Sequence, residues 1–228
     1  MEQSRRFVVT IDGAAGTGKT SVAQLLAQRL GTDCLDSGAM YRAVAVLAIE
    51  EEINPSDGAL LCEAIQKARI TFDWDKSPPP VMLRGKDISK RIRELDVSGV
   101  VSTIAKQPEV RNVLVKQQRK IRESHPLLVT EGRDQGSVVF PDAAVRFFLE
   151  APVDIRTQRR VKQLKAGGSE VQSEEVQHDI EARDQLDSTR TDGPLTCPEG
   201  AIIIDTSILS REEVVDYMEY KVRDILSL

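Results

Sequence analysis

One glycine-rich segment near the N-terminus constrains the fold more than any other part of the chain. An apolar, β-rich stretch, Phe7–Ile11, precedes the pattern G-x-x-x-x-G-K-[ST], and a helical pattern from Ser21 to Leu30 follows it. Glycines allow a tight turn in which successive N–H groups point into one concavity, and the helix adds the positive end of its dipole. This order predicts a binding site for a nucleotide triphosphate, formed by Gly13, Ala14, Ala15, Gly16, Thr17, Gly18, Lys19 and Thr20.

Two side chains of this segment have the chemistry that a triphosphate requires. Lys19 would bring a mobile positive charge to the β- and γ-phosphates. Thr20 would offer its hydroxyl to a Mg²⁺ ion that phosphate oxygens and water hold for the most part. We therefore expect magnesium as the cofactor.

Composition limits the remaining choices. The 228 residues are 40% hydrophobic, which is enough for one α/β domain with insertions. A net charge of −5 argues against general affinity for nucleic acid or an anionic membrane, so an anionic ligand must meet local clusters of arginine. Cys34, Cys62 and Cys197 are widely spaced and are expected to be reduced thiols. The apolar runs are short and no signal-peptide pattern follows the charged N-terminus, so we expect a cytoplasmic protein.

Polar residues follow two predicted strands at positions where ligands bind in parallel sheets. Ser37, Tyr41 and Arg42 come after the short strand that ends at Asp36, and we expect them to face the phosphate loop. A surface arginine beside a half-buried tyrosine is the alternative for Tyr41 and Arg42.

A second polar group follows the buried strand pattern 126–130. Glu131 is a candidate for outer-shell support of the magnesium ion, Arg133 for binding phosphate, and Asp134 for accepting a hydrogen bond from a substrate. Val145–Leu149 and Ala201–Ile204 predict two further strands.

Residues 66–101 predict a small β-containing insertion. Two short strands, Ile70–Trp74 and Val81–Arg84, are separated by a proline-rich turn, and a further turn is predicted at Gly85–Asp87. From Val97 to Arg122 the pattern is helical, and Pro108 is expected to begin a second helix there.

Two arginine groups follow in the C-terminal half. Arg156, Arg159 and Arg160 share a helix face close to a pair of glycines. This arrangement predicts a helical lid over phosphates at about residues 152–170. The alternative is an exposed helix whose arginines pair with nearby acids. The second group consists of Arg183, Asp187 and Arg190, at spacings of four and three residues. These three side chains form either a structural ion-pair ladder or a surface that binds a sugar, a base or a phosphate.

Four blocks taken together resemble one family. The phosphate loop, LDSGAMYRA (35–43), EGRDQGSVVFPDA (131–143) and RDQLDSTR (183–190) are similar to bacterial cytidylate kinases, in the same order and at similar separations. The resemblance implies a doubly wound, five-stranded parallel sheet of the P-loop kinase type, with the insertion 66–101 binding CMP. It also implies a monomer that phosphorylates CMP and dCMP with ATP and Mg²⁺. The net charge adds the expectation of no nucleic-acid or membrane partner.

The resemblance also implies roles for individual residues. In the family pattern Arg42 and Arg133 bind the CMP phosphate, and Arg183 and Asp187 contact the sugar. The remaining expected CMP contacts are Ser37, Tyr41, Ser102, Arg111, Asp134 and Arg190, and the expected catalytic residues are Lys19, Arg156 and Arg160. Glu131 departs from the family, in which aspartate is frequent at this position.

Two other functions fit parts of the pattern. A P-loop kinase for UMP, AMP or shikimate would share the phosphate loop, and Asp134 and Arg111 are the residues that should discriminate among the bases. The other is a nucleotide-binding module without transfer activity. Two arginine groups beyond what one triphosphate requires argue against it, as does the lack of an asparagine-lysine-x-aspartate motif. RNA binding through the basic segment 116–122 conflicts with the acidic composition.

Overall fold

The computed structural model describes residues 6–168 and 170–228, so the charged N-terminal segment and Ser169 of the predicted lid lie outside it. The eight helices in this part of the chain are α1 Lys19–Leu30, α2 Ser37–Glu50, α3 Gly58–Ala68, α4 Leu95–Ile104, α5 Pro108–Ser124, α6 Val153–Ala166, α7 Ser173–Thr189 and α8 Arg211–Leu226. The eight strands are β1 Phe7–Gly13, β2 Asp33–Asp36, β3 Ile70–Phe72, β4 Val81–Leu83, β5 Lys86–Asp87, β6 Leu127–Gly132, β7 Val145–Glu150 and β8 Ile202–Asp205.

Five strands form the central sheet in the order β2-β6-β1-β7-β8, and every pair is parallel. The sequence prediction of a five-stranded parallel sheet is therefore confirmed. All seven residues of β1 are buried, because β1 is the middle strand and helices cover both faces of the sheet. The carboxyl ends of β1, β2 and β6 meet at one edge, which is where an α/β sheet binds ligands.

Each face of the sheet has its own hydrophobic core. On one face α1 packs against α8, with Leu26 and Met218 fully buried between them and the sheet. On the other face α2 is buried along most of its length, and Leu47 and Leu114 belong to the larger core. None of the helices in the described chain is both long enough and apolar enough to cross a membrane.

The predicted insertion contains a three-stranded antiparallel sheet, β3-β4-β5. The third strand lies where the sequence predicted only a turn. Arg84 and Gly85 both have positive φ and form a tight hairpin that brings Lys86 opposite Leu83. A 3₁₀ turn, Arg91–Arg93, leads from this sheet into α4.

The loop between β3 and β4 packs on the core through a pair of rings in contact, tilted 30° to each other. Trp74 lies 3.9 Å from His125, measured between ring centroids, and His125 directly precedes the segment that enters β6. The imidazole is held in turn by Asp33, whose Oδ2 lies 2.8 Å from His125 Nδ1. The insertion therefore contacts the core at a point away from the carboxyl edge of the sheet.

Candidate active site

The phosphate loop lies between β1 and α1, as the motif predicted, and α6 closes over it. A Cβ atom at Gly16, where φ is +80°, would lie 3.0 Å from Cβ of Arg156. A side chain at this position would push the loop and α6 apart. The Arg156 guanidinium also donates to the carbonyl of Ala15 at 3.1 Å, so α6 and the loop are in direct contact.

Lys19 is folded back onto the loop. Its Nζ donates to the carbonyl of Ala14 at 2.6 Å, and the residue is only 5% exposed. Burial, and next the positive charge of Arg133, lower the pKa of Lys19 to about 7. Glu131 and Asp12 oppose this shift, and a phosphate bound in the loop would add further negative charge beside Lys19.

Three oxygen-bearing side chains meet at the ends of β2, β6 and the start of α1. The Thr20 hydroxyl donates to Oε1 of Glu131 at 2.5 Å. Asp36 is the register partner of Glu131 across the sheet, and burial, followed by the charge of Glu131, raises the pKa of Asp36 to about 7. Two adjacent carboxylates beside a hydroxyl are a donor set that Mg²⁺ fits. Across residues 6–168 and 170–228, no three His, Cys, Asp or Glu side chains are grouped to hold a metal ion by themselves.

A cluster of arginines faces this edge of the sheet from several elements. Burial, and then the charges of Arg133 and Arg42, lower the pKa of Arg183 to about 9. The pKa of Arg42 falls to about 10 through burial and the charges of Arg160, Arg133 and Arg93, although Asp36 opposes the shift. We name this group the arginine cluster: Arg42, Arg93, Arg133, Arg160 and Arg183.

Two contacts show how the arginine cluster is held. Arg42 donates from α2 to the carbonyl of Ile92 at 3.0 Å and to the Ser98 hydroxyl at 2.9 Å, so it connects the core to the insertion. The Nε of Arg183 is buried and has no hydrogen-bond partner among the residues that the structure describes. The cluster therefore retains donor capacity for an anion.

Asp187 lies between two of the predicted CMP-binding arginines. It is 5% exposed and accepts from Arg133 at 2.9 Å, while Arg190 lies 3.9 Å away. Burial opposes ionisation, but the charges of Arg133, Arg183 and Arg190 hold the pKa of Asp187 below its ordinary value. Asp187 is thus paired with Arg133 and, at a longer distance, with Arg190. Among the described residues no ion pair joins it to Arg183, the third member of the group that the helix spacing indicated.

The residues predicted to read the base are in contact with one another. Arg111 on α5 forms an ion pair with Asp134, and each is about 4% exposed. Arg111 also donates to the Tyr41 hydroxyl at 3.3 Å. Gly193, where φ is +57°, lies against this pair, and a Cβ atom there would overlap the Arg111 guanidinium.

The two predicted serine contacts differ in their surroundings. Ser37 is buried, and its hydroxyl donates to the carbonyl of Glu131 at 2.7 Å. Ser102 is half-buried on α4, which packs against α2 and α7. Ser37 thus lies at the carboxyl edge beside the magnesium-type donor set.

The three arginines of the predicted lid contact three different groups. Arg156 is 7% exposed and forms an ion pair with Asp184 of α7 at 2.5 Å. Arg159 donates to the Thr206 hydroxyl at 3.0 Å, and Arg160 donates to Gln163 at 2.8 Å. Only Arg156 therefore touches the phosphate loop directly, and Arg159 reaches it through Thr206, whose hydroxyl donates to the Thr17 carbonyl.

Four further charged residues belong to the site and were not singled out in the sequence. Asp12 is the penultimate residue of β1 and Asp36 the last residue of β2, and their position after an apolar run was a visible signal. Arg93 lies in a segment without a regular pattern. Asp184 lies in the RDQLDSTR block, but it is not on the helix face that Arg183, Asp187 and Arg190 share.

Comparison with known proteins decides the family. The sequence model described as cytidylate kinase matches residues 9–224. The chain belongs to the cytidylate kinase family. It is 46% identical over 215 residues to a cytidylate kinase of Caldanaerobacter subterraneus subsp. tengcongensis, covering 94% of each chain. It is 40% identical to a cytidylate kinase of Mycolicibacterium paratuberculosis, covering 96% of each.

One solved structure has a similar fold. An uncharacterized protein from Eubacterium ventriosum shares 12% sequence identity with this chain and gives a TM-score of 0.52. The alignment covers 98% of this cytidylate kinase family member and 100% of the other chain.

Proposed function

We propose that this protein transfers the γ-phosphoryl group of ATP to CMP and dCMP, giving ADP and CDP or dCDP. The arginine cluster carries the proposal. Arg42, Arg160 and Arg183 all have a lowered pKa, first because of burial and then because of neighbouring arginines. This concentration of positive charge exceeds what one triphosphate requires, and two anionic substrates would relieve it. Membership in the cytidylate kinase family supports cytidylate as the acceptor.

The phosphate loop would bind the triphosphate of ATP. Its backbone N–H groups and the N-terminus of α1 would hold the phosphates, and Lys19 would leave the Ala14 carbonyl to pair with the β- and γ-phosphates. An open cavity of about 400 Å³, lined in part by Ala14, Leu149 and Pro152, adjoins the loop and has room for the nucleoside part.

Arg42 and Arg133 would bind the phosphate of the acceptor. Because the acceptor and the donor are both anionic, these arginines must first offset the repulsion between the substrates. An acceptor phosphate oxygen then attacks the γ-phosphorus in line, and ADP leaves with the bridging oxygen. No covalent protein intermediate is needed, so the protein contributes position and charge.

The lid would supply charge to the transferring group and exclude water. Arg156 is close to the loop, and Arg160 belongs to the arginine cluster, so both are proposed to meet the equatorial oxygens of the γ-phosphoryl group. Water is an unwanted acceptor, and a segment at about 152–170 that closes over the phosphates would keep it out.

The base would be recognised by Asp134 and Arg111. A carboxylate accepts a hydrogen bond from the exocyclic amine of cytosine, whereas it would face a carbonyl oxygen in uracil. Ser37, Ser102 and Tyr41 would complete this pocket. The sugar would lie against Arg183 and Asp187, and Arg190 would contact the base or the phosphate.

Magnesium fits the donor set at the ends of β2 and β6. Thr20 would hold it directly, and Glu131 would contribute through a water molecule, with Asp36 close by. When bound, the ion neutralises part of the charge on the transferring phosphates.

The domain organisation follows from these roles. We propose one P-loop kinase domain, 1–228, in which the insertion 66–101 helps to bind CMP and the segment at about 152–170 is the lid. We further propose a cytoplasmic monomer that requires neither nucleic acid nor a membrane, in agreement with its net charge of −5.

The test is release of ADP from Mg-ATP with CMP, dCMP, UMP, AMP, GMP, dTMP, shikimate or no acceptor. Turnover confined largely to CMP and dCMP is the expected result. The Lys19→Met variant is the control for a contaminating kinase, because it should lose activity with every acceptor. Preference for another monophosphate would refute the roles given to Asp134 and Arg111, and turnover with none would refute the proposed reaction.

A further inference from the structure

Asp12 is a buried carboxylate that the proposed reaction does not use. It lies in the middle strand of the sheet, is 0% exposed, and pairs in register with Gly132 on β6 and Phe148 on β7. A carboxylate is costly to bury unless it is hydrogen-bonded, so the groups that bond to Asp12 indicate its role.

Both oxygens of Asp12 accept hydrogen bonds from one short helical turn. Oδ1 accepts from the N–H of Gln135 at 2.8 Å, and Oδ2 accepts from the N–H of Gly136 at 2.7 Å. These amides begin the π-helical turn Gln135–Val139, and the first N–H groups of any helix have no partner inside it. Asp12, on strand β1, therefore caps the first turn of this helix.

The residue in the ordinary capping position does not cap the turn. Asp134 precedes the turn, but its side chain accepts no hydrogen bond from the turn's own amides in the described chain. Its carboxylate instead forms the ion pair with Arg111 and has Arg190 4.0 Å away. If Asp134 capped the turn, as aspartate commonly does, its oxygens would point away from Arg111.

We propose that Asp12 is a positioning residue for recognition of the acceptor base: it caps the turn in place of Asp134 and thereby leaves the Asp134 carboxylate free for the base. The inference rests on the proposed function, in which Asp134 reads cytosine. It adds a connection between the two substrates, because Asp12 directly precedes the phosphate loop while its hydrogen bonds orient the acceptor site.

The Asp12→Asn variant tests this role, because asparagine keeps the volume but has only one oxygen to accept from the two amides. We expect the KM for CMP to rise about tenfold, and the preference for CMP over UMP in kcat/KM to fall by a similar factor. Asp12 also lies near Lys19, so the KM for ATP is measured in parallel and should change less than about twofold.

A matched control separates positioning from loss of stability. Thr130 is also 0% exposed and donates to the side chain of Gln135 at 2.8 Å, but it does not touch the turn's leading amides. Thr130→Val should lower the urea midpoint and leave the KM for CMP unchanged. If Thr130→Val raised this KM as much as Asp12→Asn does, the inference would be wrong.

A double-mutant cycle tests whether Asp12 acts through Asp134. In the Asp134→Ala background, Asp12→Asn should change the KM for CMP less than about twofold. An equal factor in both backgrounds, or an equal rise in the KM for ATP, would overturn the inference. Should Asp12→Asn not fold, Asp12→Ser retains one small acceptor and enters the same comparison.

Amide hydrogen exchange tests the cap without any substrate. The amides of Gln135 and Gly136 should be protected in the free wild-type protein and lose at least tenfold in protection in the variant. If the amides of Gln135 and Gly136 exchanged in the wild-type protein as fast as those of an open loop, the cap itself would be refuted. Failure of the wild-type protein to phosphorylate CMP would instead refute the proposed function, so the two failures are distinguishable.

Discussion

Replacing Arg183 with methionine should stabilise the free protein and weaken its use of CMP. Arg183 is held among like charges, and burial together with Arg133 and Arg42 lowers its pKa to about 9. Methionine has a similar length and no charge, so it removes this repulsion. The same change removes a donor that the sugar of CMP would use.

The size of the stabilisation can be estimated from the pKa. Because each unit corresponds to about 1.4 kcal/mol, a pKa of about 9 sets an upper limit of about 5 kcal/mol on the cost of charging Arg183. The side chain is only partly buried and can relax towards water, so we expect a gain of about 1–2 kcal/mol in the free energy of unfolding. For a chain of 228 residues this raises Tm by about 2–8 °C.

Thermal unfolding with and without CMP, together with kinetics, measures both effects. We expect Arg183→Met to have the higher Tm without nucleotide, a smaller rise in Tm on adding CMP, and a kcat/KM for CMP about 10–100-fold lower. Arg159→Met is the matched control, because Arg159 is bonded to Thr206 and its loss should lower Tm. A lower Tm for free Arg183→Met than for the wild-type protein would refute the reasoning.

Three further variants test the phosphate and magnesium sites. Lys19→Met should lower kcat by about 10²–10³-fold with an unchanged far-UV spectrum, and unchanged kcat would contradict its role. Glu131→Gln should raise the Mg²⁺ concentration needed for half-maximal rate about tenfold, whereas an unchanged magnesium dependence would exclude support by Glu131. Burial and Glu131 raise the folded-state pKa of Asp36 to about 7, so its contribution to stability is lost as pH rises from about 4 to 7. Asp36→Asn keeps an acceptor for the Ala39 amide but has no charge to bury. In urea unfolding without magnesium it should be about 1–2 kcal/mol more stable than the wild-type protein at pH 8 and equally stable at pH 4. A difference in stability between the two proteins that does not change with pH would contradict this.

The sheet was predictable because its signals are local. Apolar, β-rich runs at 7–11, 126–130 and 145–149 became β1, β6 and β7, although each strand continues one or two residues beyond its run. The one missed strand, Lys86–Asp87, depends on a hairpin at Arg84 and Gly85 rather than on any pattern of its own.

The site was less predictable because its contacts are distant in sequence. Helical spacing placed Arg156 and Arg159 on one face, but their partners differ. Arg156 pairs with Asp184 of α7, whereas Arg159 donates to the Thr206 hydroxyl. The partners of Asp12 lie more than 120 residues away, and no local pattern announces them. Sequence thus predicted which residue types gather at the carboxyl edge, while the pairing among them required the structure.

The contact between Trp74 and His125 at the edge of the insertion has a practical consequence. Trp74 is the only tryptophan of the chain, so all of the indole fluorescence arises at the boundary between the insertion and the core. Arg42 crosses the same boundary at another point and would turn to the acceptor phosphate on binding. Any shift of the insertion that separates Trp74 from His125 changes the emission without an added label, and stopped-flow mixing with CMP can then time that shift against phosphoryl transfer.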